Sequence, residues 1–184
     1  MKNIRTHPII FVTGASGVGK TSLVERLSKK PGSREWTHLH FDSIGVPSVA
    51  DMEKYYGSGS NWQRSMTFEW VRRMLEEYPD EGLIVFEGQT DLQFIVDAFA
   101  RHSFTHYRIV QMDCRTDVMA ERLINLRKQP ELVTPDMKNW LAYLRNQARE
   151  MGAPSIDTSD MTTKEVDAAF EAIVTEVLGE ANPD

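Results

Sequence analysis

The sequence predicts a three-layer α/β fold, a five-stranded parallel sheet with helices on both faces. Five short apolar runs, each bounded by turn residues, alternate with stretches whose apolar residues recur at helical spacing. Strands that alternate with helices pair in parallel and are covered on both sides. The first apolar run also passes through a glycine-rich turn directly into a helix. A length of 184 residues fits one domain, 1–184, large enough to bury a core without disulfides or a structural metal.

Ile9-Ile10-Phe11-Val12-Thr13 forms the first strand, and a helix begins near Lys20 and runs to Leu27. Between them stands Gly14-Ala15-Ser16-Gly17-Val18-Gly19-Lys20-Thr21. Strand, Gly-x-x-x-x-Gly-Lys-Thr, then helix is the context of a phosphate-binding P-loop. The glycines allow φ > 0 and let successive N–H groups turn inward on an anion. The helix N-terminus adds its dipole and free N–H groups. Gly14 through Thr21 and Ser22 are therefore candidate nucleotide-binding residues. Lys20 would reach the β- and γ-phosphates, and the Thr21 hydroxyl would ligate Mg²⁺.

After Pro31-Gly32, Thr37-His38-Leu39-His40-Phe41-Asp42 reads as the second strand, ending in an acid. His38 and His40 share a face. No third ligand stands nearby in sequence, so ordinary strand histidines are expected. Residues 43–61 are the least regular part, with a Gly/Ser cluster at 57–60 expected to be a flexible connection. Tyr55 and Tyr56 before it either stack on a substrate or pack against a neighbour. A helix from about Trp62 to Glu77 follows, with Arg64, Arg72 and Arg73 as solvated helix-face charges.

Leu83–Glu87 is the third strand, followed by a helix from Thr90 or Asp91. Tyr107–Met112 is the fourth, closing with Asp113-Cys114. A helix from Asp117 carries Arg122 and Arg127 and breaks at Lys128-Gln129-Pro130. Thr134 caps the next helix, which runs to Gly152. Pro154–Thr158 is a short fifth strand. The last helix opens with the capping box Thr162-x-x-Glu165 and is expected to end at Gly179, leaving 180–184 as a tail.

A net charge of −6 argues against a broad nucleic-acid or anionic-membrane surface. The single cysteine, Cys114, excludes an internal disulfide and fits a reducing compartment. It has no activating neighbour in sequence, so a structural thiol is expected. No run has membrane-spanning length, and Met1–Pro8 lacks a signal-peptide core. A cytoplasmic monomer or homodimer is expected.

In a parallel sheet ligands bind at the carboxyl ends of the strands, where Asp42, Glu87 and Asp113 fall. Phosphoryl transfer needs the γ-phosphate held in line and the attacking hydroxyl relieved of its proton. Asp42 is the candidate base. Glu87 either holds Mg²⁺ through water or binds substrate. Arg122, Arg127 and Lys128 precede a Pro-containing break, which suits a hinged lid over about 122–137.

In its P-loop and element order the chain resembles the P-loop kinases of nucleotides and small metabolites. That group includes adenylate, shikimate and gluconate kinases and chloramphenicol phosphotransferase. The resemblance implies the P-loop NTPase fold with strand order 2-3-1-4-5. It also implies ATP with Mg²⁺, and a small-molecule phosphate acceptor held by a segment of about 43–78. By the same resemblance Asp42 activates an acceptor hydroxyl, and Arg122 and Arg127 match arginines opening the lid. Asp157-Thr158-Ser159 resembles the loop against adenine. Adenylate-type kinases carry Asp-Gly-Phe-Pro-Arg after the third strand, whereas this chain has Glu87-Gly88-Gln89-Thr90-Asp91, which favours a neutral hydroxylated acceptor. The rival reading is a regulatory, partner-coupled ATPase or nucleotide switch with no small-molecule acceptor.

Overall fold

The computed structural model describes residues 5–78 and 82–181. Five strands, β1 (Ile9–Thr13), β2 (Thr37–His40), β3 (Ile84–Glu87), β4 (Tyr107–Asp113) and β5 (Ser155–Asp157), form one parallel sheet in the order β2-β3-β1-β4-β5. Seven helices accompany it: α1 (Lys20–Leu27), α2 (Val49–Tyr56), α3 (Gly59–Glu76), α4 (Leu92–Arg101), α5 (Thr116–Glu121), α6 (Pro135–Met151) and α7 (Thr163–Ala181). The expected fold class and strand order are those observed.

The central strand shows why both faces are covered. Successive side chains of β1 point to opposite sides. Ile9 and Phe11 join a core with Ile84, Phe86, Trp70, Phe99 and Leu144, roofed by α3, α4 and α6. Ile10 and Val12 join the other core with Leu23, Val24, Val85, Val110 and Phe170, roofed by α1 and α7. All five β1 residues are buried, as a strand with helices on both sides requires.

Several boundaries differ from expectation. The second strand stops at His40 rather than Asp42 because Phe41 turns into the core against Trp62 and Phe86. Its carbonyl leaves the ladder to accept the Trp70 Nε1–H at 3.0 Å. Asp42 therefore lies in a 3₁₀ turn, Phe41–Ile44, rather than at a strand end.

Nor is the Gly/Ser cluster at 57–60 a flexible connection. Ser48 caps α2 by accepting from the Asp51 N–H, and Gly57 ends α2 in the left-handed conformation (φ 82°). Ser58 then caps α3 by accepting from the Asn61 N–H at 3.1 Å. The Gly/Ser cluster is thus a helix stop followed by a helix start, and α3 begins at Gly59 rather than Trp62.

Arg72 and Arg73 pair with Glu69 along α3, and Arg64 lies 3.6 Å from Asp97. Tyr55 and Tyr56 are exposed. The α7 capping box forms with Thr162 N donating to Glu165 Oε2 at 2.7 Å and Glu165 N to Thr162 Oγ1 at 3.3 Å. Helix α7 continues past Gly179, which stays helical. The expected tail beyond Ala181 and the first four residues of the N-terminal segment lie outside the described residues.

Candidate active site

The turn between β1 and α1 places its glycines where a side chain cannot go. A Cβ on Gly14 would sit 2.4 Å from the Met112 carbonyl oxygen of β4. Gly19, at the N-terminus of α1, has φ 103°, which an L side chain resists. The loop is therefore packed against the central strands, with the first turn of α1 beneath it. Ala15 and Val18 are buried as its anchors, while Thr21 and Ser22 are exposed at the helix start.

Lys20 is 8% exposed, and its ammonium donates to the Ala15 carbonyl at 3.0 Å. Burial pushes its pKa down to about 8, with the nearby charge of Arg127 pressing the same way. Glu87 and Asp42 act against that shift, so both carboxylates lie within electrostatic reach of the ammonium. Thr21 Oγ1 donates to Glu87 Oε1 at 3.2 Å, joining the start of α1 to the end of β3.

A cleft of about 440 Å³ opens over the phosphate loop. Its floor is Gly17 to Ser22, and Arg122, Leu126 and Arg127 overhang it. Thr158, Met161 and Val166 form the far wall. Loop, Arg122, Arg127 and the post-β5 residue Thr158 therefore share one cavity. Asp157 does not join its lining; its carboxylate accepts from the Ser159 N–H and hydroxyl at 2.9 and 2.5 Å. These bonds hold the Asp157 pKa below the ordinary carboxylate value and shape the turn that presents Thr158.

Of the three strand-end acids, Asp113 is spent on structure. It receives Arg145 Nε at 2.5 Å and the Cys114 N–H at 2.9 Å. Cys114 is buried, and burial pushes its thiol up to about 11, which suits an inert side chain. Asp42 is exposed, and its carboxylate has no hydrogen-bond or ion-pair partner among the described residues.

Sequence reasoning missed the residues that tie these groups together. His40 Nδ1 contacts Glu87 Oε1 at 2.9 Å; the two residues are register partners on β2 and β3, so aligning the strand ends would have found them. Ser16 Oγ donates to Gln89 Oε1 at 2.9 Å, linking the phosphate loop to the β3–α4 turn. Gln63 on α3 holds that turn by donating to the Gln89 carbonyl at 2.8 Å and accepting from the Asp91 N–H at 3.2 Å. No local pattern marks Gln63 or Gln89.

Mg²⁺ fits the oxygens present. It keeps several waters and takes one or two protein oxygens beside phosphate, and Thr21 and Glu87 offer a hydroxyl and a carboxylate side by side. Among the described residues no cluster of three or more His, Cys, Asp or Glu could hold a metal by itself. No described helix is long and apolar enough to cross a membrane.

Among solved structures, shikimate kinase from Acinetobacter baumannii in complex with shikimate aligns at TM-score 0.61 and 14% identity, covering 94% of this chain and 95% of that one. A gluconokinase from Sinorhizobium meliloti 1021 aligns at TM-score 0.61 and 14% identity, over 97% and 99%. The Deinococcus radiodurans tunicamycin resistance protein aligns at TM-score 0.59 and 22% identity, over 91% and 95%. No curated protein matches. The family model described as AAA domain matches residues 10–156. With that match over most of its length, and with the phosphate loop and sheet order just described, the chain belongs to the AAA domain family and has the fold of the P-loop kinases of nucleotides and small metabolites.

Proposed function

We propose that this protein transfers the γ-phosphoryl group of ATP to a hydroxyl of a small-molecule acceptor, with Mg²⁺. The observation that carries the reading is Asp42. It is an exposed carboxylate without a partner among the described residues, and its charge reaches Lys20, the residue that would hold the β- and γ-phosphates. A phosphate loop and metal ligands suffice for hydrolysis, whereas a free carboxylate beyond the γ-phosphate suits an acceptor hydroxyl.

The loop N–H groups and Lys20 hold the phosphates in line. Thr21 and Glu87 would hold Mg²⁺, which when bound neutralises phosphate charge. Asp42 takes the proton of the acceptor hydroxyl as its oxygen bonds to the γ-phosphorus. The bond from that phosphorus to the bridging oxygen breaks, and ADP leaves with the electron pair. Lid residues about 122–137 close over the phosphates, and residues about 43–78, carrying Asp42's neighbours α2 and α3, hold the acceptor.

The test is ADP release from Mg²⁺-ATP, alone and with a panel of alcohols, sugars, nucleosides and antibiotics. One acceptor is expected to stimulate turnover, with Asp42→Asn losing roughly 10²-fold or more of it and Lys20→Ala inactive. Slow Lys20-dependent hydrolysis that no acceptor raises would replace this reading with that of a regulatory ATPase.

A further inference from the structure

His40 and Glu87 are register partners at the carboxyl ends of β2 and β3. Paired residues of neighbouring strands stand on the same face of the sheet, so imidazole and carboxylate meet with no turn to bring them together. His40 Nδ1 lies 2.9 Å from Glu87 Oε1. An ionised carboxylate only accepts, so the ring proton is on Nδ1 and the imidazole donates. His38, two residues earlier, has the apolar Val85 as its register partner and gives Nε2 to the Ser33 carbonyl at 2.7 Å. Of the two histidines on β2, His40 alone reaches the site.

The Thr21 hydroxyl donates to the same oxygen of Glu87, at 3.2 Å. Both donors thus converge on Oε1, and no described residue hydrogen-bonds or pairs with Oε2. Glu87 is 7% exposed, yet Oε2 keeps contact with solvent and is open to a ligand. The Lys20 ammonium does not claim it, because its hydrogen bond goes to the Ala15 carbonyl.

A glutamate carboxylate turns about three side-chain bonds, and the last of them is soft. The Thr21 bond is long and comes from an exposed side chain, so alone it fixes the carboxylate weakly. The shorter bond from His40, anchored on the neighbouring strand, decides which oxygen faces Thr21.

We propose that His40 is a positioning residue for the metal. By holding Oε1 beside Thr21 it leaves Oε2 for Mg²⁺ or a water bound to it, and so commits Glu87 to the metal rather than to the acceptor. This rests on the reading of the same site as one that binds Mg²⁺ and nucleotide. Partners that orient a metal-holding side chain typically change metal affinity by roughly 10–100-fold.

The experiment needs neither acceptor nor turnover. Mn²⁺, a paramagnetic substitute for Mg²⁺, is titrated into protein held in excess over ADP, and electron paramagnetic resonance measures the free ion. His40→Phe keeps a ring and removes the donor, and is expected to weaken Mn²⁺ roughly 10-fold or more. His40→Asn removes the ring but keeps a nitrogen donor near the place of Nδ1, and is expected to recover most of the affinity. A role in packing alone predicts the reverse order. Glu87→Ala also weakens Mn²⁺, and adding His40→Phe to it is expected to cost nothing further, because His40 acts through Glu87.

His40 is 38% exposed on an edge strand, so its variants are expected to fold, which thermal unfolding checks. ADP affinity in EDTA, by calorimetry, separates loss of metal from loss of nucleotide. Wild-type Mn²⁺ affinity in His40→Phe overturns the proposal, and so does an Asn variant as weak as the Phe variant. A further loss in the Glu87→Ala background, or an equal loss of ADP affinity in EDTA, does the same. Wild-type protein that binds ADP without Mn²⁺ overturns the metal reading of Thr21 and Glu87 too. Protein that binds no ADP overturns the kinase reading itself.

Discussion

Lys20 shows how folding and binding conflict at one residue. It is 8% exposed, its ammonium has the Ala15 carbonyl for a partner, and burial holds its pKa at about 8 against an ordinary 10.5. A lysine whose folded pKa is lowered binds its proton more readily when the chain unfolds. Stability therefore falls as pH drops from about 10.5 through about 8 and carries a constant penalty below that. Lys20→Met keeps the stem and removes the charge. It is expected to stabilise the nucleotide-free protein at pH 7 by about 2 kcal/mol, after allowing for the lost hydrogen bond. The gain should vanish above pH 10.5, and nucleotide binding should be gone. Urea unfolding at pH 7 and pH 10.5 measures this; a variant less stable at pH 7 would show that the ammonium is well solvated in the fold. A site that costs stability when empty is what a residue placed for phosphate predicts.

Among the elements, α4 is held at its start by a single acid with distant partners. Asp91, 8% exposed, caps the helix by accepting the Gln93 N–H at 2.7 Å. Its carboxylate also accepts the Tyr143 hydroxyl and Gln147 Nε2, each at 2.8 Å. The bond to Asp91 pushes the Tyr143 phenol up to about 12. Asp91→Ala removes a cap and leaves two α6 groups without their acceptor, so a loss of about 3 kcal/mol is expected. Tyr143→Phe should cost about 1 kcal/mol. Denaturant midpoints decide; equal effects of the two would mean that neither the cap nor the Gln147 bond contributes. The helix starts at Thr134 and Thr162 were legible because a cap is written within four residues. The partners of Asp91 were not, since they stand 52 and 56 residues away. The same limit hid the end of β2, where Trp70 takes the Phe41 carbonyl from another element. Gly57-Ser58 misled differently, because the residues that loosen a linker also stop one helix and start the next.

At the scale of the molecule, the sheet order puts β1 at the centre and gathers its carboxyl edge into one site. The continuous apolar run of β1 and its alternation with helices made the two-sided cover legible, and a contiguous motif made the phosphate loop legible. The meeting of Thr21 with Glu87 depended on β3 lying beside β1. These parts should answer nucleotide as one body. A non-hydrolysable ATP analogue with Mg²⁺ at 100 times its Kd stabilises by about 2.7 kcal/mol. For a domain of this size that raises Tm by roughly 5–11 °C. Lys20→Met should start from a higher Tm at pH 7 and gain nothing. Arg122→Ala, having lost the hydrogen bond to Thr158, should gain less than wild type at equal analogue concentration. Asp42→Asn should gain the full amount on the proposed reading, in which its carboxylate serves the acceptor and holds no part of the nucleotide. Loss of the shift in Asp42→Asn would move that residue from acceptor chemistry to nucleotide binding, and with it the observation on which the kinase reading stands.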